Sequence, residues 1–195
     1  LDATVSTRSM IQIFAFEQFG GAEVNASLEA ARRWSERDSS IQLTVLPVVA
    51  GEAERIAAEA LAGVQPALCL ALGEAGREPW EVRLERTYYN LDDFRIPDNA
   101  GIQRRELPIQ EGGPAMQYST LGLDTLGQGA PMPVRISDDA GRFLCNRISY
   151  FLSGYRSELP FAFIHVPAWR PTDGEELLET LVETLALVKA NALRL

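Results

Sequence analysis

Residues 10–16, Met10-Ile11-Gln12-Ile13-Phe14-Ala15-Phe16, make a short apolar run that a glycine turn, Gly20-Gly21, brings to an end. A run this short, β-prone and bounded by a break, predicts a buried strand. Next comes Leu28-Glu29-Ala30-Ala31-Arg32-Arg33-Trp34, a helix with its acid early and its arginines late, as the helix dipole favours, and with Asn25 or Ser27 as cap. Residues 41–49 are β-branched and nearly continuous and predict a second buried strand. Residues 51–61, rich in Ala and Glu at helical spacing, predict a second helix, and Ala67-Leu68-Cys69-Leu70-Ala71-Leu72 a third strand. Short apolar strands alternating with amphipathic helices argue for an α/β fold of three layers, a mostly parallel twisted sheet with helices on both faces.

Further along, residues 80–90 alternate polar and apolar and predict a more exposed strand, part of a hairpin that could supply a contact between copies. Residues 91–116 are rich in Asp, Pro, Gly and Asn, and an irregular stretch that long in a compact domain commonly forms part of a site. A short helix is expected at 121–126, a short strand at 133–136, a helix at 145–152 and an apolar strand at 161–166. A long amphipathic helix at 174–195 closes the chain, opening on the acids Asp173, Glu175 and Glu176 and ending with Lys189 and Arg194. No repeat or linker divides the chain, so residues 1–195 read as one domain, with residues 1–9 a flexible extension.

Composition narrows the function. The 195 residues carry a net charge of −9 with scattered Lys and Arg, a poor match for nucleic acid or an anionic membrane. No apolar run reaches the length of a membrane span, and residues 1–9 lack the apolar centre of a signal peptide. The two cysteines, Cys69 and Cys145, do not make a disulfide framework, so a reducing, cytoplasmic setting is expected. One histidine and two cysteines argue against a zinc site, and no nucleotide-binding glycine motif or G-x-S-x-G elbow occurs, so no metal or cofactor is expected.

What remains is thiol chemistry. Ser137-Asp138-Asp139-Ala140-Gly141 forms a turn that runs into a helix, placing Cys145 in its first turn, where unpaired N–H groups and the helix dipole favour a thiolate. Nucleophilic cysteine catalysis also needs a base and a group to orient it. His165, the only histidine, sits at the end of a predicted strand, on the rim where α/β sheets bind ligands. The strand ending near Ile136 would deliver Cys145 to that same rim. The orienting carboxylate is open among Glu17, Glu74, Glu81, Glu85, Asp92, Asp93 and Asp98. Arg95, in the irregular stretch, is a candidate to stabilise an oxyanion.

Four stretches, in order, resemble the pyroglutamyl-peptidase I (pyrrolidone-carboxylate peptidase) family. They are Phe16-Glu17-Gln18-Phe19-Gly20-Gly21 with Asn25-Ala26-Ser27; Glu85-Arg86-Thr87-Tyr88-Tyr89-Asn90 with Arg95-Ile96-Pro97-Asp98-Asn99; Ala140-Gly141-Arg142-Phe143-Leu144-Cys145-Asn146; and Phe163-Ile164-His165-Val166-Pro167. The resemblance implies a cysteine peptidase that removes an N-terminal pyroglutamyl (5-oxoprolyl) residue from peptides without metal or cofactor. It implies Cys145 as nucleophile, His165 as base, Glu85 as the orienting carboxylate and Arg95 at the oxyanion. It also implies a ring pocket of Phe16, Phe19 and Phe143 with Asn25 at its side, and a homo-oligomer, tetramer or dimer. Gln18 and Ala26 replace family prolines, and Glu74 stands where a glutamine is usual, beside the ring pocket. Two other readings are a non-catalytic homologue that keeps the pocket, and a cysteine hydrolase of another acyl or amide substrate.

Overall fold

The computed structural model describes residues 10–75, 80–156, 158–172 and 174–195. The expected extension over 1–9, Gly76 and the helix-opening acid Asp173 lie outside them. The elements are β1 (Ile11–Phe16), α1 (Ala26–Arg37), β2 (Ile41–Leu46), α2 (Glu52–Leu61), β3 (Leu68–Glu74), β4 (Val82–Glu85), β5 (Thr87–Tyr89), β6 (Met116–Tyr118), β7 (Val134–Ser137), α3 (Leu144–Tyr155), β8 (Phe161–Val166) and α4 (Gly174–Ala192). Six strands form one sheet in the order β2-β1-β3-β8-β4-β7, and β5 and β6 pair separately. The strands β2, β1, β3 and β8 run parallel; β4 is antiparallel to β8 and parallel to β7. The α/β, mostly parallel expectation holds.

Period-two alternation in the buried strands sorts their side chains onto two layers. Ile11, Ile13, Leu70, Leu72, Leu84 and Ile164 face α1 and α4, while Phe14, Phe16, Cys69, Ala71, Phe161 and Phe163 face α2 and α3. The result is helices on both faces of the sheet. Asn25, not Ser27, caps α1: its Oδ1 accepts from the Ser27 N–H at 3.0 Å.

Several expectations need correction. Residues 41–46 form an edge strand, half-exposed rather than buried, because β2 ends the sheet and has a neighbour on one side only. The stretch expected as an exposed strand at 80–90 is instead largely interior. β4 lies between β8 and β7, with Val82, Leu84 and Glu85 buried. Its alternation arises because one face meets the α1–α4 core while the other carries Arg83 and Glu85 towards the α3 side. Residues 121–126 do not form a helix. Successive turns close i to i−3, as in Leu126 N–H to the Leu123 carbonyl and Gln128 N–H to that of Thr125, with Gly122 and Gly127 interrupting any helical run.

The long irregular stretch is held by polar side chains acting on backbone. Asp98 accepts from Ala50, Ala100 and Ile102 N–H groups, and Asn90 grips Gln110. Beneath it, Arg147 of α3 is buried between Glu54 and Asp92, hydrogen-bonded to both. Among the described residues, no helix is long and apolar enough to cross a membrane.

Candidate active site

β1, β3 and β8 end on one rim, and each delivers a residue to it: Phe16, Gly73 with Glu74, and His165. β7 runs against β8, so its end does not lie on that rim as expected. The turn at 138–143 carries the chain across instead. Asp139 accepts from Gly141 N–H at 3.0 Å, and Gly141 takes a φ of 78°, a left-handed conformation that favours glycine. This turn launches α3 with Cys145 as its second residue. Phe143 precedes the helix without a side-chain cap, so no capping oxygen competes for the first-turn N–H groups beside the sulfur. Asn146, fully buried, fixes this helix start: its amide donates to the Tyr89 and Leu91 carbonyls and accepts from Tyr89 N–H.

His165 is 8% exposed, and its Nδ1 lies 2.7 Å from Glu85 Oε1. In the β4–β8 register, Arg83 faces His165 and Glu85 faces Phe163, so Glu85 and His165 are diagonal neighbours on one sheet face. That register selects among the seven candidate carboxylates. The others are engaged elsewhere: Glu17 with Asn99 and Val48, Glu74 with Ala26, Glu81 with Arg135, Asp92 with Arg147, Asp93 with Arg105, and Asp98 with Ala50. Burial pulls the His165 pKa down, but the Cys145 sulfur and the Glu85 carboxylate outweigh it and raise the pKa to about 9. Phe163 stacks edge-on against the His165 ring at 4.9 Å.

Beside the sulfur lies a small pocket, about 240 Å³ counting its open mouth, lined by Phe16, Phe19, Asn25, Val48, Gly73, Glu74, Phe143, Leu144 and Cys145. All five residues expected at a ring pocket are brought together here. Phe143 is wedged between Phe19 and Phe94, at centroid distances of 6.0 and 4.8 Å. Asn25 lines the pocket, yet its amide is occupied in tying the end of β1 to α1, donating to the Phe16 and Glu17 carbonyls. Glu74 neither points idly to solvent nor stands apart: its Oε2 accepts from Ala26 N–H at 2.6 Å, at the start of α1, and from Trp169 N–H at 3.3 Å. Arg95 does not line the pocket. It follows Phe94 on the irregular stretch, exposed, with its carbonyl held by Gln103.

The sequence reading missed Val48, Leu144, Phe94 and Gly73. For Gly73 a signal existed, since a glycine inside a strand marks a close approach. A Cβ there would sit 2.7 Å from Phe163 Cζ and 2.9 Å from Cys145 Sγ. Gly73→Ala is expected to push the sulfur away from its present place. A shift of that kind costs on the order of 10²-fold in turnover, and overpacking adds roughly 1–3 kcal/mol of destabilisation. Steady-state kinetics and thermal melting read the two effects separately.

The pyroglutamyl peptidase family model matches residues 9–175, most of the chain. The chain belongs to the pyroglutamyl peptidase family. The pyrrolidone-carboxylate peptidase of Erwinia tasmaniensis is 38% identical over 165 residues, covering 80% of this chain and 77% of that one. The protein of the same name from Yersinia pestis is 35% identical over 167 residues, with the same coverage. Among solved structures, pyroglutamyl peptidase I of Bacillus amyloliquefaciens superposes with a TM-score of 0.86 at 28% identity, over 96% of this chain and 98% of that one. Pyrrolidone carboxyl peptidase from the hyperthermophile Pyrococcus furiosus gives 0.82 at 28% identity, over 95% and 98%. This pyroglutamyl peptidase family member therefore shares the fold of those two solved structures.

Proposed function

We propose that this protein is a cysteine peptidase that removes the N-terminal pyroglutamyl residue from peptides through a thioester intermediate. The observation that carries the reading is the Glu85–His165 couple beside Cys145, opening on a pocket walled by Phe16, Phe19 and Phe143. A pyroglutamyl ring is compact, uncharged and amphipathic, which suits an aromatic slot with few polar groups, whereas a free N-terminal ammonium would be costly to desolvate there.

The proposed steps are these. His165, its ring held by Glu85, takes the Cys145 proton. The sulfur attacks the pyroglutamyl carbonyl, and first-turn N–H groups of α3 receive the developing oxyanion. Arg95 is proposed to add to that charge stabilisation on the sequence resemblance alone, its side chain being exposed and outside the pocket lining. His165 gives its proton to the leaving amine as the C–N bond breaks, then takes one from the water that cleaves the thioester. Pyroglutamate leaves, and His165 returns its proton to the departing sulfur, restoring the thiol. No step calls for a metal or cofactor.

Glu74 and Asn25 shape the pocket wall, Glu74 by fixing the start of α1. That both cores lie on one sheet among the described residues supports reading residues 1–195 as one domain. Two free cysteines support a reducing, cytoplasmic setting. Exposed Ile102, Leu107, Met116 and Tyr118 support a homo-oligomer, dimer or tetramer, which light scattering would test.

The decisive experiment is release of a fluorescent amine from its pyroglutamyl amide by freshly reduced protein, with prolyl and glutamyl amides as controls. The expected result is release from the pyroglutamyl compound alone. Hydrolysis of glutamine amides instead would assign another amide substrate, and pyroglutamyl binding without release would assign a non-catalytic role.

A further inference from the structure

The stretch Glu85-Arg86-Thr87-Tyr88-Tyr89-Asn90 holds a second polar group that the mechanism above does not use. Tyr88 is fully buried, yet its hydroxyl is not at an edge. It donates to the Glu85 carbonyl at 2.8 Å and accepts from the Phe163 N–H at 3.1 Å. Glu85 and Phe163 are register partners in the antiparallel β4–β8 pair. In an antiparallel ladder, partners whose N–H and carbonyl face each other bond directly. Here a phenol oxygen stands between them, at the position where β4 ends and two pairs away from Arg83 and His165.

The Glu85 carboxylate makes this insertion consequential. Oε1 holds His165, while Oε2 is buried with no hydrogen-bond partner among the described residues. No second side chain therefore aims the carboxylate, and its direction follows from where the Glu85 backbone sits. Two bonds set that backbone: the Tyr88 hydroxyl on the carbonyl of Glu85, and the next N–H, that of Arg86, on the Ser137 carbonyl at 2.7 Å.

We propose that Tyr88 is a positioning residue for the Glu85–His165 couple, its hydroxyl spacing β4 from β8 so that the carboxylate meets Nδ1 of the histidine. Burial disfavours the phenolate and pushes the Tyr88 pKa well up, so the group stays a neutral donor and acceptor throughout the working range. Removing the oxygen leaves the Phe163 N–H and the Glu85 carbonyl facing each other across a gap that the strands can close. Closing it moves Glu85 relative to His165. The other ionisable groups around His165 are Cys145 from α3, Arg83 opposite it on β4, and Glu74 one pair further along the β3–β8 register.

Because His165 is the only histidine, its ring resonance titrates without ambiguity, and this readout does not depend on the peptidase reading. Only the kinetic arm rests on that reading. In Tyr88→Phe the His165 pKa is expected to fall by about one unit, and kcat on a pyroglutamyl amide by roughly 10-fold with KM within about twofold. Phe161→Leu, which loosens the ring packed 5.9 Å from Tyr88 but keeps the hydroxyl, is expected to lower the melting temperature and leave the titration in place. An unchanged titration in folded Tyr88→Phe overturns the proposal, as does an equal shift in Phe161→Leu, which would assign the effect to packing. Where Tyr88→Phe does not fold, Tyr88→4-aminophenylalanine, which keeps a donor but accepts weakly, decides by the same criterion. A wild-type protein inert towards pyroglutamyl amides would remove the peptidase reading and leave the titration result standing.

Discussion

Cys145→Ala is expected to lower kcat/KM on a pyroglutamyl amide by at least about 10⁴-fold, since loss of the nucleophile leaves only binding and oxyanion stabilisation. Cys69→Ser is expected to retain nearly all of it. The two thiols differ by position alone. Cys69 is fully buried in β3 among apolar side chains, and desolvation pushes its pKa far up, so it stays a neutral thiol. Cys145 stands at a helix start beside the His165 imidazole, which Glu85 holds. Placing a hydroxyl in the core at 69 is expected to cost roughly 1–3 kcal/mol of stability, visible in the melting temperature but not in turnover per folded molecule. Parallel kinetics and melts on both variants check this. Equal activity loss at 69 and 145 would mean that folding, not nucleophilicity, had been measured, and retained activity in Cys145→Ala would exclude it as nucleophile.

Glu85→Gln is the second large effect, expected to reduce kcat by about 10²- to 10⁴-fold, by analogy with loss of the orienting carboxylate in other triads. The neutral amide cannot balance the imidazolium, so the His165 pKa, raised to about 9 in the native protein, should drop. For activity, the native alkaline limb is expected near pH 9, where His165 loses the proton that the leaving amine needs, and in Glu85→Gln it is expected at lower pH. For stability, a histidine raised from 6.5 contributes fully below pH 6.5, and that contribution is lost as pH rises through 9. Glu85→Gln should flatten that part of the stability curve. Rate profiles and denaturation between pH 6 and 10 measure both. An alkaline limb that stays at the native pH would show that Glu85 does not act on His165.

Much of this was readable before any coordinates. The strands over residues 11–16, 68–74 and 161–166 and the four helices follow from local periodicity, which needs only neighbouring residues. Cys145 at a helix start follows from the turn residues before it. The motif around it, read as a resemblance, supplied a substrate that no spacing could supply.

What only the tertiary structure decided is non-local. Alternation at 82–85 cannot tell a solvent face from an active-site face. The pairing of β4 against β8, across some 80 residues of chain, turned Glu85 inward onto His165. The same pairing reversed β7, so the Cys145 helix reaches the rim through a turn rather than from a strand end. Edge position exposed β2 although its residues are β-branched. The pattern along a chain states which residues avoid water. Which of the buried ones meet, and at what distance, is settled by strand order and register, which bring together Cys145, His165, Glu85, Gly73 and Tyr88 from five separate elements.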